Sequence, residues 1–312
     1  MIQRNSILAL LLFMLFNLAH STEVAHSQLT IYSDVVNNDS TKKVVNIQSY
    51  TPSVLLSKGQ WEFKSFQNLY TQIGSYDNSN QYTDNNGRSS FFSSINQFTF
   101  GINKRVNIGA DLWFKSVHYG PKTDSPLAVF QFSNTAQSRS AITGLGPKIR
   151  ISPIKKLHHF SINSTFLIPT VSDLNGSDDP NLPWLSADAY LWITQFYYDL
   201  PIGTQFQLFF QLAPWYSIPK VHELEKQKLD LPIDVFFSYF PSKKLTLYVQ
   251  NEIWPTLNHN GQFSSYFIQG GLGVKYQLIQ GLLELESSYT NFYYGWNSGA
   301  GQTFNVGLRI IR

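Results

Sequence analysis

Cysteine is absent from all 312 residues. That excludes a disulfide framework and leaves no thiol to carry a lipid, so an acylated lipoprotein is not expected. Long apolar runs are missing as well. The one at the N-terminus, Ile7 to Ala19, is too short to span a bilayer as a helix, and no stop-transfer segment follows it. Charge is sparse, at 14% of residues with a net of +3, and the clustered basic surface that nucleic acid requires is not there, so no nucleic-acid partner is expected. His222-Glu223-Leu224-Glu225-Lys226 begins like a zinc-protease helix but lacks the second histidine four residues on. His118, His158, His159 and His259 form no pair at metal-ligand spacing, and no G-x-S-x-G elbow fixes a nucleophile. The sequence therefore assigns no metal ligand, no cofactor and no catalytic residue. A rim arrangement of His118 or His259 with one of the many serines stays open.

What the chain does have is aromatic residues, 24 Phe, 17 Tyr and 7 Trp, in a composition only 43% hydrophobic. After the turn signal Asn103-Lys104-Arg105, Val106, Ile108, Ala110, Leu112 and Phe114 alternate with Asn107, Gly109, Asp111 and Trp113. Period two over this length is a strand with one apolar and one polar face. The same grammar recurs, predicting twelve strands near 60–71, 90–102, 105–117, 140–151, 159–170, 187–198, 204–216, 231–240, 244–254, 265–278, 282–293 and 302–312. Most reach the 9–11 residues a membrane-spanning strand needs, where a soluble sandwich uses about 5–6. Short connections rich in Pro, Gly, Asn, Asp and Lys take turns with longer ones at 72–89, 118–139, 171–186, 217–230, 255–264 and 294–301. That is the pattern of periplasmic turns and external loops.

The expected organisation is a signal peptide over 1–21, with cleavage after Ser21 or as late as Ser27. A periplasmic lead or plug follows over 22–59. Residues 60–312 form a transmembrane antiparallel β-barrel in the outer membrane of a Gram-negative bacterium. Parity sends Phe206, Leu208, Phe210 and Leu212, then Phe304, Val306, Leu308 and Ile310, toward lipid, opposite Gln205, Gln207 and Gln211 and opposite Asn305, Gly307 and Arg309. Trp113, Trp184, Trp215, Trp254 and Trp296 near the loop side are expected to form an outer aromatic girdle, with hairpin packing as the alternative.

Charges on the inward parity are the candidate pore lining: Lys115, Asp111, Lys148, Arg150, Lys275, Glu284, Glu286 and Arg309. Lys275 is expected opposite Glu284, and Glu286 near Arg309. Such pairs form either a ladder that sets strand register or a charged wall that selects solutes. Lys148 and Arg150 have no evident partner in the sequence.

Gly144-Leu145-Gly146 opening a strand, the turn 152–158, Phe166-Leu167-Ile168-Pro169-Thr170 closing the next strand, and Gly270-Gly271-Leu272-Gly273-Val274-Lys275-Tyr276 near the C-terminus carry a resemblance. Over roughly 60–312 the chain resembles the outer-membrane barrel transporters named for the MetA pathway of phenol degradation. Pro147 stands where that family often has Asp, and the chain ends Ile310-Ile311-Arg312 where many barrels end on an aromatic residue read by the assembly machinery. The resemblance implies passage of small molecules, hydrophobic ones among them, without catalytic residues or cofactor. A passive channel or carrier is the expected function. A closed structural or surface-interaction barrel with working external loops is the alternative, and a lipid-modifying enzyme the third. Expected partners are outer-membrane lipid and lipopolysaccharide, the barrel assembly machinery and an unidentified small solute.

Overall fold

The computed structural model describes residues 53–177, 182–220 and 226–312. The expected signal peptide, the lead up to residue 52 and His222 to Glu225 lie outside them. The strands are β1 (Trp61–Tyr76), β2 (Tyr82–Asn103), β3 (Val106–Pro121), β4 (Ser138–Ile151), β5 (Phe160–Pro169), β6 (Ala189–Ile202) and β7 (Phe206–Leu212). They continue as β8 (Trp215–Pro219), β9 (Lys228–Asp230), β10 (Ile233–Tyr239), β11 (Leu245–Leu257), β12 (Phe263–Ile279), β13 (Leu283–Trp296) and β14 (Ser298–Ile311). β7 and β8 both pair with β6, and β9 and β10 both pair with β11. Each of these two couples is therefore one strand broken in the middle, and the fourteen segments make twelve staves. The breaks fall at Pro214 and Pro232, which have no N–H to give to a ladder. Every neighbouring pair is antiparallel, and β1 pairs with β14 from Glu62↔Ile311 to Tyr76↔Ser298, closing the sheet.

Closure removes every sheet edge, and alternation then sorts side chains into wall and lumen. Outward on β3 and β4 are Ile108, Leu112, Leu145 and Ile149, all exposed, while Asn107, Asp111, Lys148 and Arg150 are buried inside. Phe304 and Val306 are likewise exposed, opposite buried Thr303 and Asn305. A closed antiparallel barrel with an apolar outer surface belongs in an outer membrane, where all backbone polar groups must be satisfied within the sheet. No described helix is long and apolar enough to cross a membrane.

Two of the expected long loops are strand instead. β1 and β2 keep pairing up to Tyr76↔Tyr82, so 72–89 shrinks to a tight hairpin, and β13 and β14 are separated by Asn297 alone. Above the membrane both strand faces meet water. The one-sided apolar alternation that marks a strand is then lost, although the pairing continues.

The long connections that remain do different things. Residues 122–137 fold as a strap over the outside of the barrel. Its 3₁₀ turn Pro126–Gln131 is capped by Ser125, whose Oγ accepts from Leu127 N. Val129, fully buried, packs on Leu69, Phe92 and Phe114, and Ser116 Oγ donates to the Val129 carbonyl at 2.7 Å. Residues 170–177 and 182–188 fold inward instead. Leu174 and Leu185 are buried against Val117 in the mouth, Arg139 donates to the Asp173 carbonyl, and Lys115 Nζ donates to Ser186 Oγ at 2.8 Å. At the opposite end residues 53–60 reach across the inner rim. Ser53 Oγ donates to the Asp199 carboxylate on β6, Leu56 lies on Ile311 of β14, and Gly59 N donates to Gly101 O on β2 at 2.9 Å. Gly101 allows this approach, since a Cβ there would strike the Ser57 carbonyl.

Candidate functional site

The lumen carries a charged tier toward the short-turn end. Asp111 meets Lys148 with Oδ1 2.5 Å from Nζ, and its Oδ2 accepts from Gln97 at 3.0 Å and Thr165 at 3.3 Å. Glu62 serves three cations: Arg309 at 2.7 Å, Lys64 at 3.3 Å and Arg150 at 3.8 Å. Lys148 and Arg150, expected to lack partners, are thus paired, Lys148 with Asp111 on the neighbouring strand β3 and Arg150 with Glu62 on β1, which the curvature of the wall brings within reach. Arg150 is the least served. Its Nε and Nη1 are buried with no acceptor among the described residues.

The expected pairs on the C-terminal strands are shifted by one dyad. Lys275 faces Glu286 at 3.4 Å and Gln277 faces Glu284, because β12 runs on to Ile279, paired with Leu283, so the turn lies later than expected; the slip between Gln277 and Ile279 takes back only part of that shift. Arg309 then stands opposite Glu284, at 4.0 Å, and Gly307 opposite Glu286. Glu286 also accepts from the Tyr248 hydroxyl at 2.6 Å, and Lys275 lies over the Tyr248 ring at 5.4 Å. Lys115 sits higher, bound to the inserted loop and 5.9 Å from the Trp113 ring.

Sequence reading missed several lumen charges, Asp199 on β6 and Asp230 on β9 among them. Glu62 and Lys64 lie on the inward parity of β1, Asp234 and Glu252 on that of β10 and β11, so parity alone could have found them. Asp234 and Glu252 stand directly opposite each other. They are held by amides, Gln211 donating to Asp234 at 2.8 Å and Gln269 to Glu252, and neither is in an ion pair among the described residues. Cations on β1, β4 and β14 therefore face acids on β10 and β11 from the other side of the ring of strands. Fixed charges so arranged set a field across the lumen.

Above this tier the lumen is aromatic. Trp113 meets Trp215 at 5.6 Å between ring centroids and Trp215 meets Trp254 at 5.2 Å. Trp254 stacks on Phe267 at 5.8 Å, Phe267 on Phe292 at 4.4 Å, Phe292 on Tyr70 at 5.0 Å, and Tyr70 on Phe91 at 5.7 Å. Leu167 and Ile193 fill the wall beside Trp113. The rings form a collar along the inner surface from β8 through β11, β12, β13 and β1 to β2, and Trp113 of β3 reaches Trp215 of β8 past the aliphatic Leu167 and Ile193, in the offset and edge contacts that aromatic quadrupoles favour. The indole N–H groups of Trp113 and Trp215 are buried in it without an acceptor among the described residues.

The expected outer tryptophan girdle is thereby corrected. Trp113, Trp215 and Trp254 point inward, and Trp184, on the inserted loop, packs against Phe91 at 6.3 Å. Trp296 alone of the five lies on the outer face, stacked on Tyr266 at 6.2 Å. Inward parity had already put Trp113 with Asp111. Indole rings here line the lumen because a barrel of this size has interior space to fill.

At the outer rim, His118 Nδ1 lies 2.7 Å from Ser138 Oγ and Nε2 lies 3.0 Å from Asp124 Oδ2. Gly120 makes the second contact possible, since a Cβ there would collide with the Asp124 carboxylate. An open cleft of about 450 Å³ adjoins His118 and Asp124, walled by Leu127 and Ala128 of the strap. Ser138 is buried and not part of its wall. His259, at the tip 258–262, takes no part in this arrangement.

No known protein family and no curated protein matches the sequence. Solved structures do match. The outer membrane channel from Pseudomonas putida F1 superposes with a TM-score of 0.58 at 9% identity, covering 88% of this chain and 99% of that one. The beta domain of the Bordetella autotransporter BrkA superposes with a TM-score of 0.50 at 9% identity, covering 81% and 99%. At such identity the likeness establishes the fold, a closed twelve-stranded outer-membrane barrel.

Proposed function

We propose that the chain is an outer-membrane channel for small solutes and that the aromatic collar is its selective constriction. The collar carries this reading. A solute entering it exchanges water for ring faces, which favours flat, apolar molecules, and the two unpaired indole N–H groups can hold one acceptor atom of such a solute. The opposed charges below orient a dipolar solute leaving the collar. Residues 53–59 act as a plug at one mouth and the inserted loop narrows the other, so passage requires one or both to move. The glycine-rich strand openings that resemble the MetA-pathway transporters suit the same solute class. Outer-membrane lipid, lipopolysaccharide and the barrel assembly machinery are the partners this reading implies.

Reconstitution in planar bilayers and liposomes tests it. Trp215→Ala with Trp254→Ala is expected to raise single-channel conductance severalfold and to abolish any preference for aromatic solutes over sugars of similar size. Absence of conductance from both folded proteins would shift the reading to a closed barrel whose external loops do the work.

A second reading, a rim hydrolase acting on lipid esters, is favoured by one observation, the Ser138–His118–Asp124 chain of hydrogen bonds. Such a chain can activate a serine when substrate reaches it. Burial of Ser138 instead suits a tie that anchors the strap to β3 and β4, so the hydrolase stands second. A serine-reactive fluorophosphonate is expected to leave Ser138 unlabelled in the membrane-embedded protein. Labelling that disappears in Ser138→Ala would reverse the order of the two readings.

A further inference from the structure

The outer face of β1 and β2 carries a polar island, a cluster of four polar side chains set among apolar rows. Ser65 Oγ donates to Asn96 Oδ1 at 2.7 Å, Gln67 Nε2 to Ser65 Oγ at 2.8 Å, and Asn96 Nδ2 to Ser94 Oγ at 3.0 Å. The direction of these side chains is fixed by register. Gln67 is level with Val306 and Asn96 with Leu112, both exposed on the outside, whereas the intervening Asn68 pairs with buried Asn305 in the lumen.

Depth is fixed in the same way. The row beneath the island is Phe63, Phe98 and Ile310, and the next holds Trp61 and Phe100, with Trp61 and Phe98 stacked at 6.2 Å. The row above is Leu69, Phe92 and Phe304, closed over by Val129 of the strap. Two apolar rows below and a strapped apolar row above put the island in the hydrocarbon. The outward amide Asn251 differs, since its oxygen accepts from the hydroxyl of Tyr293, a residue of the tyrosine-rich end of β13 that also carries Tyr294 and Trp296.

Three internal hydrogen bonds do not satisfy two amides and two hydroxyls. The Gln67 carbonyl oxygen and one N–H of each amide have no partner among the described residues. Acyl chains cannot supply one, so exposure to lipid is costly at this position.

We propose that this face pairs with the same face of a second copy of the chain. Two barrels inserted in the same direction can be related only by an axis along the membrane normal, which brings each residue against residues at its own depth. Charged side chains would repel their own images there. Amides and hydroxyls, which donate and accept at once, hydrogen-bond to them, as polar side chains do between membrane helices. The island is uncharged and built from such groups alone. Exposed Phe130 and Phe132 of the strap, next to Phe92 and Phe114, continue the contact above it.

The natural absence of cysteine makes the test direct. Gln67→Cys and Ser94→Cys are introduced singly into the full chain, with Leu272→Cys on distant β12 as the control, and native outer membranes are oxidised. Gln67→Cys and Ser94→Cys are expected to give a disulfide band of doubled mass and Leu272→Cys none. Light scattering of the wild type in nanodiscs is expected to report two copies, and Gln67→Leu with Asn96→Leu to report one, both proteins keeping heat-modifiable mobility. A single-copy wild type without cross-links overturns the proposal, as does a cross-link to a different protein or a dimer that survives the double leucine variant. If the leucine variant fails to fold, the cysteine variants and the wild-type mass decide alone.

Discussion

Replacing Lys148 with methionine is expected to lower the unfolding free energy by about 3–5 kcal/mol, the range for removing one partner of a buried ion pair. The lysine side chain is 1% exposed and its Nζ is 2.5 Å from Asp111 Oδ1. Without it the Asp111 carboxylate keeps hydrogen bonds from Gln97 and Thr165 but loses its counter-ion in an enclosed wall. Lys148→Glu should be worse, since two carboxylates then share the site. The double change Lys148→Met with Asp111→Leu should recover most of the loss, because both charges leave together. Urea unfolding in lipid vesicles, followed by tryptophan fluorescence and by heat-modifiable mobility, measures all three. A Lys148→Met variant as stable as the wild type would mean that the pair is hydrated and that Lys148 faces an open pore, as its sequence position alone suggested.

The barrel itself was legible because its signal is local. Alternation from Val106 to Phe114 requires no knowledge of neighbours, and the outward set Phe206, Leu208, Phe210 and Leu212 reads directly from the sequence. Partners were not legible. Asp111 and Lys148 are 37 positions apart and meet because β3 and β4 pair from Val106↔Ile151 to His118↔Ser138 with one slip, at Trp113/Phe114. A turn that falls later than expected, with Ile279 still paired to Leu283, was enough to exchange Glu284 for Glu286 opposite Lys275. Period two gives the face exactly once per residue but gives register only through the turns, and those carry errors of a few residues.

The collar shows a different limit. Tryptophan is common both in interfacial belts and in packed interiors, so residue type did not choose between them. Parity did, for Trp113, which shares the inward face with Asp111. Trp215 also keeps the inward parity of Gln207 and Gln211 across the Pro214 break, so alternation read from Phe206 places it in the lumen as well. A rim contact of His118 with a serine was left open by the sequence, but the choice of Ser138 and Asp124 was not legible, since serine and aspartate at such separations are common in any loop-bearing strand pair.

Arginine at Leu272 is expected to cost about 2–4 kcal/mol, the penalty for a cation on the lipid face near the bilayer midplane. Leu272 is 66% exposed, the highest of the large apolar side chains on the wall, and its neighbours on the same face are Val249 and Tyr289. Arginine at Gln250 should cost less than about 1 kcal/mol. Gln250 is one residue along β11 from Val249, hence at nearly the same depth, but it faces the lumen two residues from Glu252, which with Asp234 has no cation among the described residues. There the new guanidinium gains acids instead of losing water. Equal loss from the two substitutions, read by the same urea titration, would mean that the faces of β11 and β12 are reversed or that the lumen is as dry as the lipid. A stabilising Gln250→Arg would be the strongest sign that the acid pair forms the negative wall of the conduit, and its effect should carry through to ion selectivity by shifting it toward anions.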